Sequence, residues 1–258
     1  MDQEQRSKYI NTTCAPLFLS DYFLTEGHNR LTTSATATFV QYERMTYAIT
    51  CGHVKAAASS RDRWTAQLKA GRAVVNLSEW SSIGQVSALR DVKGIAPVDI
   101  SICPIPDHLF EMIACGKPKA PINLDSFSEP QWDQVKFCLA AGFPDRAKTD
   151  NGISVASPMV ETVVQLASLI SPSTTTFTLQ SSLAKPSAFK LSGMSGGPIF
   201  ALFSELPPLP IGILFAGSPS GEGVGTSTSS FLDDRDILIR GHLLTPQIFG
   251  GWLRDAGI

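Results

Sequence analysis

Short segments with a two-residue periodicity, separated by turn residues, dominate this 258-residue sequence. The clearest pair is residues 35–42 and 45–50, which are rich in threonine and aromatic residues and flank a Glu43-Arg44 turn. This alternation favours a β-hairpin, because successive side chains of a strand point to opposite faces of a sheet. A chain made of such segments can bury its apolar residues only by packing sheets together or closing them.

The same signals predict further strands along the whole chain, at residues 63–69, 73–77, 99–103, 135–141, 160–166, 174–179, 198–203, 211–215 and 237–239. Many short strands with frequent Gly and Pro turns predict an all-β sandwich or barrel. Helical signals are few: one turn at residues 56–58, and a C-terminal helix that begins at Thr245-Pro246, a favourable N-cap followed by proline.

The best candidate for a linker is residues 118–130, which contain three prolines and little periodicity. Its place near the middle of the chain predicts two domains of similar size, residues 1–120 and 121–258. We expect these two domains to form a single functional unit.

The composition excludes several classes of function. Hydrophobic residues make up 43% of the chain, enough for a sizeable core, and the net charge of −2 comes without a basic patch, so we expect no nucleic-acid partner. No apolar run approaches 18 residues and the polar N-terminus lacks a signal-peptide core, so we expect no membrane segment. The five cysteines are irregularly spaced and no Cys-x-x-Cys occurs. We therefore expect free buried thiols, a reducing cytoplasmic location, and neither a metal site nor a cofactor.

The stretch from Leu191 to Phe200 carries the strongest chemical signal, because Ser195 stands there between glycines and before Gly-Pro. A glycine-rich turn can present a hydroxyl beside free amide N–H groups, the arrangement that acyl transfer needs. A serine becomes nucleophilic when a base takes its proton and a third group orients that base. His53, at the end of a predicted strand, and Asp99, at the start of an apolar run, precede the serine in that order.

Three short blocks around these residues resemble the trypsin-like, chymotrypsin-fold serine proteases: Cys-Gly-His at 51–53, Val-Asp-Ile-Ser at 98–101 and Gly-Met-Ser-Gly-Gly-Pro at 193–198. The resemblance covers about residues 34–254. It implies two packed antiparallel six-stranded β-barrels with a short C-terminal helix, and a protein or peptide substrate cut through an acyl-enzyme. Ser195 would be the nucleophile, His53 the general base and Asp99 the orienting carboxylate, while the N–H groups of Gly193 and Ser195 would form the oxyanion hole.

The sequence also departs from the secreted members of this family. Those that are activated by cleavage carry aspartate immediately before the serine, where this chain has Met194, and the disulfide cysteines of the secreted enzymes are missing. The pattern is closer to intracellular bacterial, HtrA-like or viral members than to digestive enzymes. Activation by removal of a propeptide is therefore not expected.

The resemblance assigns substrate contacts to four residues: Phe189, Phe215, Ala216 and Gly217. The strand containing the last three is similar to the family's edge strand that pairs with the substrate backbone. The two phenylalanines favour an apolar primary pocket. Three basic residues leave a preference for acidic substrates open: Lys185, Lys190 and His242.

Two alternatives remain at this point. Gly-Met-Ser-Gly-Gly also matches the nucleophile elbow of an α/β-hydrolase, with Asp233, Asp234 or Asp236 and then His242 in the required order, but Gly-Gly-Pro starts a helix poorly and strand–helix alternation is missing. The second alternative is a protease-fold module that is latent or non-catalytic until a partner protein binds. Activity of the isolated chain would distinguish it from an active protease.

Overall fold

The structure, a computed structural model, describes residues 1–21, 34–59, 64–70, 73–76, 90–92, 98–150, 155–168, 170–171, 173–183, 191–203, 206–218 and 236–258. Its strands form two main sheets, one from each half of the chain.

The N-terminal half contains α1 (Gln3–Thr12), β1 (Cys14–Asp21), β2 (Ser34–Tyr42), β3 (Met45–Thr50), α2 (Gly52–Ser59), β4 (Trp64–Ala70), β5 (Ala73–Asn76), β6 (Arg90–Asp91), β7 (Ser101–Ile105), α3 (Asp107–Gly116) and β8 (Ile122–Asn123). The main path of its eight-stranded sheet is β5-β4-β1-β2-β3-β7-β6, with antiparallel neighbours, while β8 runs parallel to β2. Residues 77–89, which connect the two end strands β5 and β6, lie outside the described residues.

The C-terminal half contains β9 (Phe137–Gly142), β10 (Thr149–Asp150), β11 (Val155–Ala156), β12 (Val160–Leu166), β13 (Thr176–Ser182), β14 (Pro198–Leu202), β15 (Leu209–Ser218), β16 (Asp236–Leu243) and α4 (Pro246–Ala256). Six of the strands close into an antiparallel barrel in the order β12-β13-β16-β15-β14-β9. Closure leaves every strand of the barrel with two neighbours, so the long hydrophobic strands expose no complete edge.

The hairpin of β2 and β3 turns at Glu43 and Arg44, as the sequence predicts. Both residues have positive φ angles, 49° and 66°, which match a two-residue turn of the type that suits strand twist. Neither is glycine, and the carboxylate of Asp125 accepts hydrogen bonds from both of their backbone N–H groups, at 2.8 and 3.3 Å. Asp125, 81 or more residues away in sequence, thus stabilises a turn whose left-handed backbone is unfavourable for Glu43 and Arg44.

A shared hydrophobic core joins the two halves. It contains Ile49 and Ile102 from the first sheet, and Phe200 and Ile213 from the barrel. Helix α4 packs into the same core through buried residues including Phe249 and Trp252. Because both sheets bury one face in this core, their packing fixes the line along which the two halves meet, called the cleft below.

Helix α4 begins and ends where its sequence signals it. The Thr245 side chain accepts a hydrogen bond from the Ile248 N–H at 3.2 Å, Pro246 follows as the first helical residue, and Gly257 ends the helix with a φ of 69°. These are the preferred residues for an N-cap, a first turn and a C-terminal left-handed position.

The all-β class, a six-stranded antiparallel barrel in the C-terminal half and the C-terminal helix are confirmed. In the N-terminal half, where the sequence predicts the other six-stranded barrel, the described strands form an eight-stranded sheet. Helices α1 and α3 were not predicted. The first is polar and is held by a capping box between Asp2 and Gln5, and the second buries Leu109 and Ile113, one turn apart, against the sheet. Strand β8 joins the first sheet just after residue 120, and the division into two domains stays a prediction.

Among the cysteines whose side chains the structure describes, four are buried and form no disulfide: Cys14, Cys51, Cys103 and Cys138. Burial raises the pKa of Cys14, Cys103 and Cys138 to about 12, so these thiols stay protonated. They behave as small apolar side chains of the core. Within the described part of the chain, none of the helices has the length and hydrophobicity that crossing a membrane requires.

Candidate active site

His53 lies in the first turn of α2, directly after β3. The turn forms because the carbonyl of Cys51 accepts the N–H groups of Val54 and Lys55, at 3.1 and 3.4 Å. The His53 side chain points away from the core and is 51% exposed, so its ring is accessible from the cleft. A helix start after a buried strand therefore fixes the position of the ring while leaving it open to a ligand.

Asp99 stands just before β7 and is bound to His53 through both carboxylate oxygens. Its Oδ1 accepts the His53 backbone N–H at 2.9 Å, and its Oδ2 lies 2.6 Å from His53 Nδ1. Burial alone would raise the pKa of the Asp99 carboxyl, but the hydrogen bonds and charge of His53 outweigh it and hold the pKa below its ordinary value. An ionised carboxylate only accepts hydrogen bonds, so Nδ1 carries the proton and Nε2 is left as an acceptor or base.

Ser195 completes a chain of three side chains. Its Oγ lies 3.2 Å from His53 Nε2, although 142 residues separate the two in sequence. This distance is within hydrogen-bond reach of a base and the proton that it would remove. The structure thus brings His53, Asp99 and Ser195 together in one connected arrangement.

The turn that carries Ser195 requires glycine on both sides. Gly193 and Gly196 have φ angles of 93° and 87°, a region that other residues adopt rarely. A Cβ atom on Gly196 would lie 2.2 Å from the Thr36 carbonyl oxygen, so the backbones of the two halves approach as closely as glycine allows. Between them, Met194 is fully buried in the core of the barrel and anchors the turn by packing.

Two buried threonines of β2 hold this turn from the opposite half of the molecule. Thr36 Oγ1 donates to the Gly193 carbonyl at 3.0 Å, and its backbone N–H donates to the Ser195 carbonyl at 2.9 Å. Thr38 Oγ1 donates to the Gly196 carbonyl at 2.7 Å. Three contacts from β2 therefore orient the peptide groups around Ser195 across the cleft.

Sequence reasoning missed the threonines, although a signal for them exists. Residues 35–40 are all buried, and the two threonines alternate with Ala35, Ala37 and Phe39, which pack into the core on the other face of the strand. A buried hydroxyl needs a hydrogen-bond partner, so alternating threonines in a fully buried strand indicate carbonyl groups opposite them. The sequence does not say which carbonyls these are.

The predicted oxyanion donors, Gly193 and Ser195, carry amide groups that are available. Among the described residues, neither N–H has a hydrogen-bond acceptor, whereas the carbonyls of both residues are bound to Thr36. Paired free donors next to a hydroxyl can stabilise an oxygen that gains negative charge. Their role as an oxyanion hole stays a prediction.

The predicted substrate-binding residues lie on β15, apart from Phe189, which is outside the described residues. The backbone of Leu214 is bonded to the Ser195 turn on both sides, with Gly197 O and Gly196 N each at 2.8 Å. Beyond it, Ala216 and Gly217 pair with β16, and among the described residues no strand pairs with their other edge. That edge is free to receive an extended chain.

Phe215 occupies a bulge in β15 and packs on the buried side chain of His242. The two rings are stacked with centroids 4.2 Å apart, and the guanidinium of Arg240 lies 5.2 Å from the Phe215 centroid. Burial lowers the pKa of His242 to about 4, so its ring is neutral at neutral pH. A neutral, buried histidine gives no charge to an acidic substrate, and the basic residues Lys185 and Lys190 lie outside the described residues.

Cys51, His53 and Asp99 place three possible metal-ligand atoms within 4.8 Å of one another. Their chemistry fits a metal poorly. His53 Nδ1 is already bound to Asp99, while Cys51 is fully buried, donates to the Leu214 carbonyl at 3.3 Å and has a pKa raised well above its ordinary value by burial. A protonated thiol is a weak metal ligand.

The α/β-hydrolase alternative does not fit the structure. Ser195 leads into strand β14, not into a helix, and the strands around it form an antiparallel barrel. Its partner is His53 and not His242, whose Nε2 is buried without a hydrogen-bond partner among the described residues. Asp233 and Asp234 lie outside the described residues, and Asp236 accepts a hydrogen bond from Ser182 at 2.6 Å.

Comparisons with known proteins found similar solved structures but no matching family model or curated protein. Among solved structures, the chain is similar to the Rv3671c protease from M. tuberculosis in its active form, with 14% identity over 99% of this chain and 87% of the other and a TM-score of 0.48. It is similar to Deg5, with 13% identity over 84% and 87% of the two chains and a TM-score of 0.43.

A third similar structure is the scabies mite inactivated protease paralogue S-I1, with 12% identity over 97% of this chain and 96% of the other and a TM-score of 0.45. The similarity to these three structures is at TM-scores of 0.43 to 0.48. At such identities and TM-scores it carries no argument about activity, for which the geometry of the site is the relevant observation.

Proposed function

We propose that this chain is a serine endopeptidase that hydrolyses peptide bonds through an acyl-enzyme. One observation carries the proposal: the hydrogen-bonded sequence Asp99–His53–Ser195, with contacts of 2.6 and 3.2 Å. Three side chains from distant parts of the chain lie in the order that would activate a serine, with His53 Nδ1 facing the carboxylate and Nε2 facing the hydroxyl. The fold supports the proposal because the site lies where the two sheets meet.

The first half of the reaction forms the acyl-enzyme. His53 Nε2 takes the proton of Ser195 Oγ as this oxygen attacks the carbonyl carbon of the substrate. The C–N bond then breaks, and the same proton passes from His53 to the leaving amine. Asp99 stays ionised throughout and stabilises the imidazolium, in agreement with its lowered pKa.

In the second half, water replaces the amine. His53 takes a proton from the water, whose oxygen attacks the acyl carbon, and returns it to Ser195 Oγ when the acid product leaves. In each half, the carbonyl oxygen becomes an oxyanion that the N–H groups of Gly193 and Ser195 would stabilise. Losing one such donor typically costs about 2.7–4 kcal/mol of transition-state stabilisation.

For substrate binding, we propose that an extended peptide pairs with the free edge of Ala216 and Gly217, with Phe189 and Phe215 making the primary pocket apolar. The half-buried ring of Phe215 supports an apolar contact. Cys14, Cys51 and Cys138 are buried without a disulfide, which supports a reducing compartment. We propose a cytoplasmic protease with a narrow set of protein targets.

Labelling with a fluorophosphonate probe, followed by peptide mapping, tests the nucleophile. We expect the purified chain to carry the probe on Ser195, and the variant Ser195→Ala to lose both labelling and hydrolysis of fluorescent casein with little change in thermal stability. The matched control is Ser128→Ala, which alters an exposed serine outside the site. Removing the nucleophile of such a triad lowers kcat by about 10⁶.

The result also separates the two functions that the sequence leaves open. Labelling at another residue, or hydrolysis by Ser195→Ala, contradicts the assignment of the nucleophile. A folded wild-type protein that takes up no probe contradicts an autonomous protease and favours a module that is latent until a partner protein binds.

A further inference from the structure

An ion pair with a buried lysine, Lys148 with Asp145, is hydrogen-bonded to Ser192 in the turn that carries Ser195. Lys148 follows a short 3-10 turn (Asp145–Ala147), and its side chain is only 1% exposed. Its ammonium donates to Asp145 Oδ1 at 2.8 Å and lies 5.5 Å from the centroid of the Phe18 ring. Burial lowers the pKa of Lys148, and the Asp145 carboxylate counteracts this effect.

Burying an ammonium group costs free energy that a carboxylate partner only partly returns. An apolar side chain of similar length could fill this site without the cost. The role of the ion pair therefore depends on the other contacts that the Asp145 carboxylate makes.

Asp145 binds Ser192 at two points. Its backbone N–H donates to the Ser192 carbonyl at 2.9 Å, and its Oδ2 accepts from Ser192 Oγ at 3.1 Å. Lys148 occupies the other carboxylate oxygen, so the orientation of the carboxylate is fixed from both sides. Ser192 is thereby held by its main chain and its side chain together.

The contact to the Ser192 carbonyl determines the direction of the next amide. In a planar trans peptide, the C=O of one residue and the N–H of the next point in opposite directions. Since the Ser192 carbonyl points at Asp145, the Gly193 N–H points away from it. Among the described residues this N–H has no acceptor, and Gly193 packs so tightly that a Cβ atom would lie 2.7 Å from both Asp145 N and Phe143 O.

We infer that Asp145 and Lys148 are positioning residues that keep the Gly193 N–H directed into the oxyanion hole. This inference rests on the proposed function and extends it to residues outside the triad. Without the ion pair, the Asp145 carboxylate loses its contact with Lys148, and its hydrogen bond with Ser192 Oγ is weakened. The peptide between Ser192 and Gly193 is then held mainly by the backbone contact with Asp145, and its orientation is less fixed. The contact between His53 and Asp99 would remain in place, because no hydrogen bond or ion pair among the described residues links it to Asp145, Lys148 or Ser192.

The test compares the rate of fluorophosphonate labelling at Ser195 in the wild type and in Lys148→Met, which keeps the length of the side chain but not its charge. The phosphonyl oxygen must enter the same hole as the oxyanion. We expect the second-order rate to fall about 10-fold to 100-fold, because a misdirected donor costs less than the roughly 10²-fold to 10³-fold lost when a donor is removed. The matched control Lys8→Met removes an exposed lysine that pairs with Glu4 at 2.6 Å on α1, and we expect it to label at the wild-type rate.

A second readout separates positioning from general loss of structure. The low-field proton resonance of His53 Nδ1 reports the hydrogen bond to Asp99, and we expect it to be unchanged in Lys148→Met. If that variant does not fold, Ser192→Ala decides the question, because it removes only the contact with Asp145 Oδ2 and leaves the ion pair intact. We expect Ser192→Ala to slow labelling about 3-fold to 10-fold.

The outcomes are distinguishable from those of the proposed function. Folded variants that label Ser195 at the wild-type rate overturn the inference alone. A wild-type protein that does not label at Ser195 overturns the proposed function, and this inference with it. Slower labelling accompanied by loss of the His53 resonance assigns Lys148 to the general structure and overturns the positioning role.

Discussion

The two sides of the proposed site are held by different kinds of contact. His53 and Asp99, from the first sheet, are 51% and 32% exposed and are held by hydrogen bonds that involve their side chains. The turn around Ser195, from the barrel, is largely buried and is held through its carbonyl groups and through Met194. Chemistry and stability should therefore be separable on the first side and coupled on the second.

The substitution Asp99→Asn tests the separable side and has the largest expected effect. The amide can hold the imidazole in the wrong tautomer, so we expect kcat to fall by about 10⁴. Because the side chain keeps its size and is partly exposed, thermal stability should change little. Hydrolysis of fluorescent casein and a thermal melt measure the two quantities. A rate near that of the wild type would remove Asp99 from the triad. A large drop in melting temperature would show that chemistry and stability are not separable on this side of the site.

The substitution Gly196→Ala tests the coupled side. Residue 196 has a φ of 87°, and the Cβ of an alanine there would lie 2.2 Å from the Thr36 carbonyl oxygen. Because backbone strain and overpacking add together, we expect the free energy of unfolding to fall by about 3 kcal/mol or more. The matched control is Gly251→Ala in α4, where a Cβ would meet only the end of Arg254 at 3.9 Å and should stabilise the helix by up to about 1 kcal/mol. Urea unfolding of both variants measures the difference, and equal stabilities would show that the turn is not constrained as described.

The pH dependence of stability tests the buried environment of the barrel at His242. Its pKa is about 4 in the folded protein and 6.5 when unperturbed, so the unfolded chain binds the proton first as the pH falls. The contribution of neutral His242 to the free energy of unfolding is therefore fully present above pH 6.5. It is lost as the pH falls from 6.5 to about 4, by up to about 3 kcal/mol.

The variant His242→Phe keeps an aromatic ring and removes the titrating group. We expect its unfolding free energy, measured by urea titration at several pH values, to fall less steeply than that of the wild type across this interval. Parallel curves for the two proteins would contradict a buried neutral histidine.

The smallest expected effect is that of Thr38→Val, which removes one hydrogen bond across the cleft. The Gly196 carbonyl then loses the hydroxyl at 2.7 Å, and we expect a loss of about 1–2 kcal/mol in unfolding free energy. If the two sides differ as described, kcat should fall at the same time, by about 3-fold to 10-fold. The control Thr162→Val changes a half-buried threonine of β12 and should alter neither quantity. A loss of stability with an unchanged kcat would show that the contact does not position the turn.

The sequence predicted those features that depend on residues close together in the chain. Strand β12 coincides with its predicted range, the Glu43-Arg44 turn lies where the pattern places it, and Thr245 caps the final helix. These signals are local because turn geometry and capping involve residues at most a few positions apart. Helix α1 is not predicted because its sequence carries hardly any apolar periodicity, and the capping box of Asp2 and Gln5 is its main local signal.

The sequence by itself also determined the candidate residues His53, Asp99 and Ser195, since each lies in a short motif with its own chemical signature. Only the tertiary structure decided what holds them. Thr36 and Gly193 are 157 residues apart, and Asp145 and Ser192 are 47 apart. Nothing local distinguishes these residues from other buried threonines or surface charges. Their partners are set by how the two sheets pack, because a hydrogen bond forms only where packing leaves a donor facing an acceptor.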